Sequence, residues 1–363
     1  MCGRRSSHVL ETAMVRHVGL CHCRASLADY VGGFHKGKVD QMRSVVFEKY
    51  GVPEQVLKVG ERDKPVPGEG QALVRMLLSP IHNHDLMTVA GLYGVKPPLP
   101  WVGGTEAVGV VEALGEGVSN LVVGQRVAGG ASQTWAEYYL VEAARVVPVP
   151  DGVSDETACQ LVSMPLSSKM IIAYLGIEPG QWMVQNAGNG AVGKLVARFA
   201  AEQGIHVVSL VRRDETVAEL AALGVNNVVS TANEGWQEQV KALTGGADIV
   251  RGLDSLGGDG PEQLFEVMED GSELVNFGAM TGRPLRITPG SLLFRQMKVR
   301  GFWGMKPNLP AADIGRMLGE LVTLAAKGEL DLPVDGVFDL EQVAEAVKAS
   351  DEPGRKGKVV LRG

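Results

Sequence analysis

The chain has 363 residues, 45% of them hydrophobic, which is enough for two domains with sizeable cores. Its formal net charge of −7 argues against nucleic-acid binding through charge, and no uninterrupted apolar run is long enough to span a bilayer. The 47 glycines show no collagen-like period and fit a turn-rich α/β or β-rich enzyme.

Residues 1–41 differ in composition from the rest of the chain. They hold four of the seven histidines and three of the four cysteines, and they lack a clear apolar periodicity. They read as an N-terminal extension, disordered or arising from a misassigned start. Glu11, Asp29 and Asp40 count against the alternative of a mitochondrial presequence, so a cytoplasmic location is expected and the mitochondrial matrix is the lesser alternative. Cys21-His22-Cys23 is too crowded for an ordinary zinc site. From Met42, the segment RSVVFEKYGVPEQVLKV reads as a first hairpin.

Residues 43–150 are strand-like, with Val/Leu-rich alternation at 72–78, 107–113 and 135–141 broken by Pro65-Val66-Pro67-Gly68, Gly103-Gly104 and Gly115-Glu116-Gly117. Beyond residue 166 the pattern changes to strands at 182–186, 206–211, 226–230, 248–253 and 273–277. Helices are expected between them at 191–203, 214–223, 234–243 and 260–269. This alternation predicts an α/β fold with a doubly wound parallel sheet. A helix from Ala311 to Lys327, a second at 340–349 and a strand from Lys358 to Leu361 close the chain, and that strand is expected to rejoin the β-rich first domain.

The most informative stretch is 185–213, QNAGNGAVGKLVARFAAEQGIHVVSLVRR. An apolar strand runs into Gly188-Asn189-Gly190-Ala191-Val192-Gly193, a helix and a second strand. In that setting GxGxxG signals dinucleotide binding, because glycines admit a pyrophosphate to the backbone and the helix N-terminus supplies free N–H groups. At the end of the second strand stand Arg212 and Arg213, where a site preferring the unphosphorylated dinucleotide would place a carboxylate. A guanidinium forks onto a 2′-phosphate, so NADPH is the expected cofactor. Asp214, one step on, reads as the cap of the next helix.

From Met42 to the C-terminus the chain resembles the medium-chain dehydrogenase/reductase superfamily. The match is carried by His84-Asp85 through Ala90-Gly91-Leu92-Tyr93-Gly94, by Gly103-Gly104-Thr105-Glu106-Ala107-Val108-Gly109, by the glycine loop, by Asn276-Phe277-Gly278-Ala279-Met280 and by Val299-Arg300-Gly301-Phe302-Trp303. Within it the chain most resembles the zinc-free 2-enoyl thioester reductases, with quinone oxidoreductases next. The resemblance implies a GroES-like catalytic domain (42–165 and 304–363) around a Rossmann nucleotide-binding domain (166–303), with the active site in the cleft. It places His82 and Thr105 at the first two zinc-ligand positions of the zinc alcohol dehydrogenases. Cys159 is the only cysteine after residue 23, so no metal is expected; a site of His82, His84 and Glu106 is the alternative, with the two histidines sharing a face in strand geometry.

The same resemblance implies roles for individual residues. Tyr93 corresponds to the tyrosine that protonates the substrate, a role a neutral phenol can fill; the competing reading packs it on Pro97 and Pro98. Asn83, His84 and Trp303 would line the substrate pocket. Ser167, Phe277, Gly278, Ala279, Phe302 and Trp303 would join the glycine loop around the cofactor. NADPH-dependent reduction of an activated C=C bond is the expected reaction, with an enoyl-CoA or enoyl-acyl carrier protein as substrate. The alternatives are a quinone oxidoreductase and a non-catalytic NADPH-binding protein. A homodimer is the family norm, and residues 292–303 form the candidate edge for it.

Overall fold

The computed structural model describes residues 40–363; the expectations for residues 1–39, Cys21-His22-Cys23 included, lie outside the described residues. Strands β1 (Gln41–Phe47) and β2 (Lys58–Asp63) pair antiparallel from Gln41 opposite Asp63, with the short helix α1 (Pro53–Val56) in their connection. The first hairpin therefore forms, and it starts one residue ahead of Met42. Then come β3 (Gln71–Pro80), α2 (Asn83–Val89), β4 (Trp101–Val102), β5 (Glu106–Leu114), β6 (Arg126–Gly130), β7 (Tyr138–Glu142) and β8 (Val146–Pro148). Trp135 does not join β7 as expected. Its ring occupies the space beside Gly103, where a Cβ would lie 2.2 Å from the indole. Gly104 adopts φ +89°, a conformation that suits glycine, and so turns the chain into β5.

The region that carries the parallel sheet follows α3 (Asp155–Ala158) and α4 (Ser163–Leu175). It runs β9 (Trp182–Gln185), α5 (Ala191–Glu202), β10 (His206–Val211), α6 (Glu215–Ala222), β11 (Val228–Ser230), α7 (Trp236–Thr244), β12 (Ile249–Asp254), α8 (Gly260–Phe265), β13 (Glu273–Asn276), α9 (Pro289–Leu293) and β14 (Lys298–Gly301). Its sheet is parallel in the order β11-β10-β9-β12-β13-β14, as expected of a doubly wound fold. Successive strand residues face opposite covered sides: Met183, Val207 and Val275 lie in one core, and Val184, Val208 and Leu274 in another. Helix α8 stops at Phe265, short of the expected 269. There the Val267 and Met268 amides bond three residues back, and the Glu269 amide bonds to Ile249 instead.

Helix α10 (Ala311–Ala326) packs on α4 through the core that holds Met317, Leu321 and Ala325. The chain rejoins the first sheet only at β15 (Val334–Asp339), passes through α11 (Val343–Asp351) and ends in β16 (Lys358–Arg362). As expected, β16 returns to the first domain, antiparallel to β3 with Val360 opposite Pro80. That sheet has the order β15-β16-β3-β5-β6-β8, with β7 also on β3.

Helix α4, which the sequence pattern does not signal, is held at both ends by charge of the sign its dipole favours. At its start, Val162 and Ser163 amides donate to Glu106 Oε1 at 2.7 and 2.8 Å. At its end, Arg251 Nε and Arg300 Nη2 donate to the carbonyls of Leu175 and Tyr174 at 2.8 and 3.0 Å. Among the described residues no helix is long and apolar enough to cross a membrane.

Candidate active site

The first cluster is built around helix α2, which the strand-like pattern of this region does not announce. His82 and His84 do not alternate along a strand. His82 is extended at the helix N-cap and His84 sits in the first turn, yet the bend still stacks their rings, with centroids 5.0 Å apart. The His82 amide donates to Asp85 Oδ2 at 2.9 Å, which closes the first turn. His82 Nε2 lies 2.8 Å from Glu106 Oε2, both side chains being buried. Burial drives the His82 imidazole well below its usual range, and burial also raises Glu106 to about 7 against the opposing amides of Ser163 and Val162. Near neutral pH this pair is a poor place for a full positive charge.

Beside it runs a second chain of hydrogen bonds. Thr105 Oγ1 donates to Asp85 Oδ1 at 2.7 Å, and His84 Nε2 lies 2.7 Å from Thr105 Oγ1. Since both His82 and His84 commit Nε2 to a protein oxygen, the arrangement of His82, His84 and Glu106 as three metal ligands is not formed. No group of three His, Cys, Asp or Glu side chains among the described residues could hold a metal ion. The Ile81 amide bonds to Val359, which brings Lys358 alongside α2. Burial and then Arg355 push Lys358 down to about 8, opposed by the carboxylates of Asp85 and Glu106.

Tyr93 follows the C-terminus of α2. The amides of Leu92 and Tyr93 both bond to the Met87 carbonyl, and Gly91 takes φ +73° with Tyr50 packed where a Cβ would sit. The phenol oxygen accepts a 2.9 Å hydrogen bond from Trp303 Nε1, across 210 residues of sequence. The Tyr93 ring tilts against His84 at 5.8 Å. Trp303 is 37% exposed. Ser167 reaches the same place, its Oγ lying 3.3 Å from where a Cβ on Gly304 would be. Asn83 is exposed on the first turn of α2 and is not joined to the Tyr93–Trp303 pair.

The nucleotide side is built mainly from backbone. Gly188 and Gly193 are packing glycines: a Cβ on Gly188 would meet Ser209 Cβ at 2.6 Å, and one on Gly193 would meet the Ala187 carbonyl at 2.7 Å. Asn189 and Gly190 are exposed, and Ala191 and Val192 begin helix α5. Gly190 caps α5 with no side-chain hydrogen bond, which leaves the first amides of a 12-residue helix open to a ligand. This cradle fits a pyrophosphate. At the end of β10, Arg213 pairs with Glu215 at 3.3 Å, whereas Arg212 is exposed and has no ion-pair partner among the described residues. Asp214 does not cap α6 with its side chain; it accepts from Asn233 Nδ2 at 3.0 Å, and hydrogen bonds from Ser230 and Asn233 hold its carboxyl below the usual range.

Sequence reasoning left one organiser of the cleft unassigned. Asp254, fully buried at the end of β12, accepts from Asn186 Nδ2 at 2.6 Å, from Asn276 Nδ2 at 2.7 Å and from the Leu256 amide at 3.1 Å. It thereby ties the ends of β9, β12 and β13 at the point where the strand order reverses. Asn276 Nδ2 also bonds to the Gly278 carbonyl at 2.8 Å, fixing the Phe277–Gly278–Ala279 turn, and a Cβ on Gly278 would meet the Ser255 carbonyl at 2.6 Å. Phe302 is buried against Tyr174, so only its backbone is offered to the cleft. The only sequence signal for the Asp254 hub was amides and a carboxylate at three strand ends.

Residues 68–151 match the family described as alcohol dehydrogenase GroES-like domain, and 191–321 match zinc-binding dehydrogenase. The mitochondrial enoyl-[acyl-carrier-protein] reductase of Xenopus tropicalis is 28% identical over 332 residues, 88% of this chain and 95% of that protein. An enzyme of the same description from Caenorhabditis elegans is 32% identical over 271 residues, 72% of this chain and 77% of that one. The solved structure of a Pseudomonas syringae quinone oxidoreductase superposes with a TM-score of 0.79 at 26% identity, covering 89% of this chain and all of that one. With its β-rich GroES-like part and its doubly wound parallel sheet, the chain belongs to the medium-chain dehydrogenase/reductase superfamily of oxidoreductases, homologous to the enoyl-[acyl-carrier-protein] reductases and the quinone oxidoreductases.

Proposed function

We propose that the protein is an NADPH-dependent reductase of activated C=C bonds whose substrates are 2-enoyl thioesters, carried on coenzyme A or on an acyl carrier protein. The observation that carries this reading is the Trp303–Tyr93 hydrogen bond. Tyr93 oxygen is the acceptor, so its own proton is left to be given away, and the indole N–H stabilises the oxygen once the proton has gone. The glycine loop, the start of α5 and Arg212 would hold the pyrophosphate and the 2′-phosphate, while Ser167 and the 277–279 turn flank the nicotinamide end. When bound, NADPH supplies a hydride to the substrate β carbon. Tyr93 then protonates the α carbon.

Quinone reduction is the second reading, favoured by the likeness to the Pseudomonas syringae enzyme and by the polar His84 beside Tyr93. Crotonyl-CoA and benzoquinone, each mixed with NADPH and the protein, separate the two. Turnover of the thioester that collapses in Tyr93→Phe supports the alkene reading. Turnover of the quinone alone, indifferent to Tyr93, moves the protein to the quinone branch. A protein that binds NADPH and turns over neither is a binding protein only.

The reading includes a homodimer formed edge to edge through β14, the last strand of the parallel sheet, next to the exposed Leu292, Leu293 and Phe294. Light scattering that returns a monomer mass would remove it.

A further inference from the structure

We propose that His84 is the relay residue that returns a proton to Tyr93 after each turnover, with Thr105 and Asp85 as the positioning residues that aim its imidazole. This rests on the reductase reading. A phenol that has given up its proton must regain one before it can act again. Trp303 cannot supply it, because an indole N–H donates a hydrogen bond without parting with its proton. The other polar ring against Tyr93 is His84, with centroids 5.8 Å apart and the planes tilted by 32°.

The orientation of His84 follows from counting protons. Thr105 has a single hydroxyl proton, and it goes to Asp85 Oδ1. The 2.7 Å contact between Thr105 Oγ1 and His84 Nε2 is therefore donated by the imidazole. Nε2 keeps its hydrogen in both charge states, and the exchangeable proton sits at Nδ1. Asp85 is fixed in turn, its other oxygen holding the His82 amide at 2.9 Å. The chain carboxylate–hydroxyl–imidazole thus selects one tautomer, as a carboxylate does for histidine in many proton-transfer sites.

Exposure separates the two stacked histidines. The His82 side chain is 1% exposed and bound to Glu106, whereas that of His84 is 25% exposed and reached by water. The charged or titratable groups around His84 are His82 and Asp85 on the same turn, Tyr93 on the following loop and Glu106 at the start of β5, with Lys358 on β16 facing its neighbours His82 and Asp85. In the step itself the Nδ1–H bond of the imidazolium breaks and the Tyr93 O–H bond forms. Histidine is left neutral and is recharged from solvent; no electrons move.

The test is rapid mixing of His84→Ala with NADPH and excess crotonyl-CoA. Tyr93 starts protonated, so the first turnover, one NADPH oxidised per site, should be slowed much less than the turnovers that follow. Steady-state turnover should then fall by roughly tenfold or more, and added imidazole should restore it. Thr105→Val keeps the ring but removes its orientation; it should slow the steady state more than the first turnover, without rescue by imidazole. Equal loss in the first and later turnovers, or an unchanged steady state, would overturn the relay. If the wild-type protein reduces only benzoquinone, indifferent to Tyr93, the alkene reading fails and the relay falls with it. A wild-type protein that reduces neither removes both.

Discussion

The two halves of the cleft are made in different ways. On the side proposed to take the nucleotide, the surface is built from backbone: a strand end, six consecutive residues and the first turn of α5, with the exposed Arg212 beside them. On the catalytic side, it is built from side chains that meet only after folding, as Tyr93 does with Trp303 and His82 with Glu106. A backbone site tolerates many side chains at its exposed positions and none where a Cβ would strike a carbonyl. A side-chain site fails at single hydroxyls and carboxylates.

The sharpest way to break this contrast is Tyr93→Phe. It should lower kcat for an enoyl thioester by about 10²–10⁴-fold and leave NADPH affinity, read by cofactor fluorescence, unchanged. Next is Gly193→Ala. The new methyl would lie 2.7 Å from the Ala187 carbonyl and 2.9 Å from that of Gly188, both of them backbone. The loop must shift, so NADPH affinity should drop by tenfold or more while the Tyr93–Trp303 arrangement remains; NADPH titration of the purified variant measures this.

A smaller effect is expected at Arg212→Ala. One charge-assisted contact to the 2′-phosphate is worth about 1.5–3 kcal/mol, so KM for NADPH should rise by about ten- to a hundredfold with that for NADH unmoved. Equal change for both cofactors would show that Arg212 does not read the 2′-phosphate.

Smallest is the pH dependence set by Glu106. Its pKa is raised from 4.5 to about 7 in the folded protein, so the stability it contributes is present below 4.5 and lost as pH rises through 7. His82, lowered by burial, acts in the opposite direction. Glu106→Gln removes only the first contribution. Relative to wild type, the variant should therefore gain stability as pH rises from 4.5 to 7, measured by urea unfolding at fixed pH values.

The parallel sheet was legible in the sequence because its cause is local. Apart from β14, whose Lys-Val-Arg-Gly gives no apolar run, its strands are short and largely apolar, and the residues facing either covered side alternate along them, as Met183 and Val184 do. The catalytic half was less legible. Helix α2 is only seven residues long and begins at a histidine rather than at a usual capping residue, so its segment read as strand. Helix α4 carries weak periodicity, because Met170, Ile171 and Ile172 in succession are buried between α5 and α10.

What the sequence determined by itself was the class of fold, the dinucleotide loop and the identity of Tyr93 as a residue on a glycine-flanked turn. These depend on neighbours within a few positions. Only the tertiary structure decided that Tyr93 accepts from Trp303, that Thr105 stands between His84 and Asp85, that Glu106 joins His82 to the start of α4 and that Asp254 gathers three strand ends. The physical reason is that a side-chain hydrogen bond needs its partners within about 3 Å, and most of these partners lie far apart in sequence, so the sheets and the cleft must form before the bonds can.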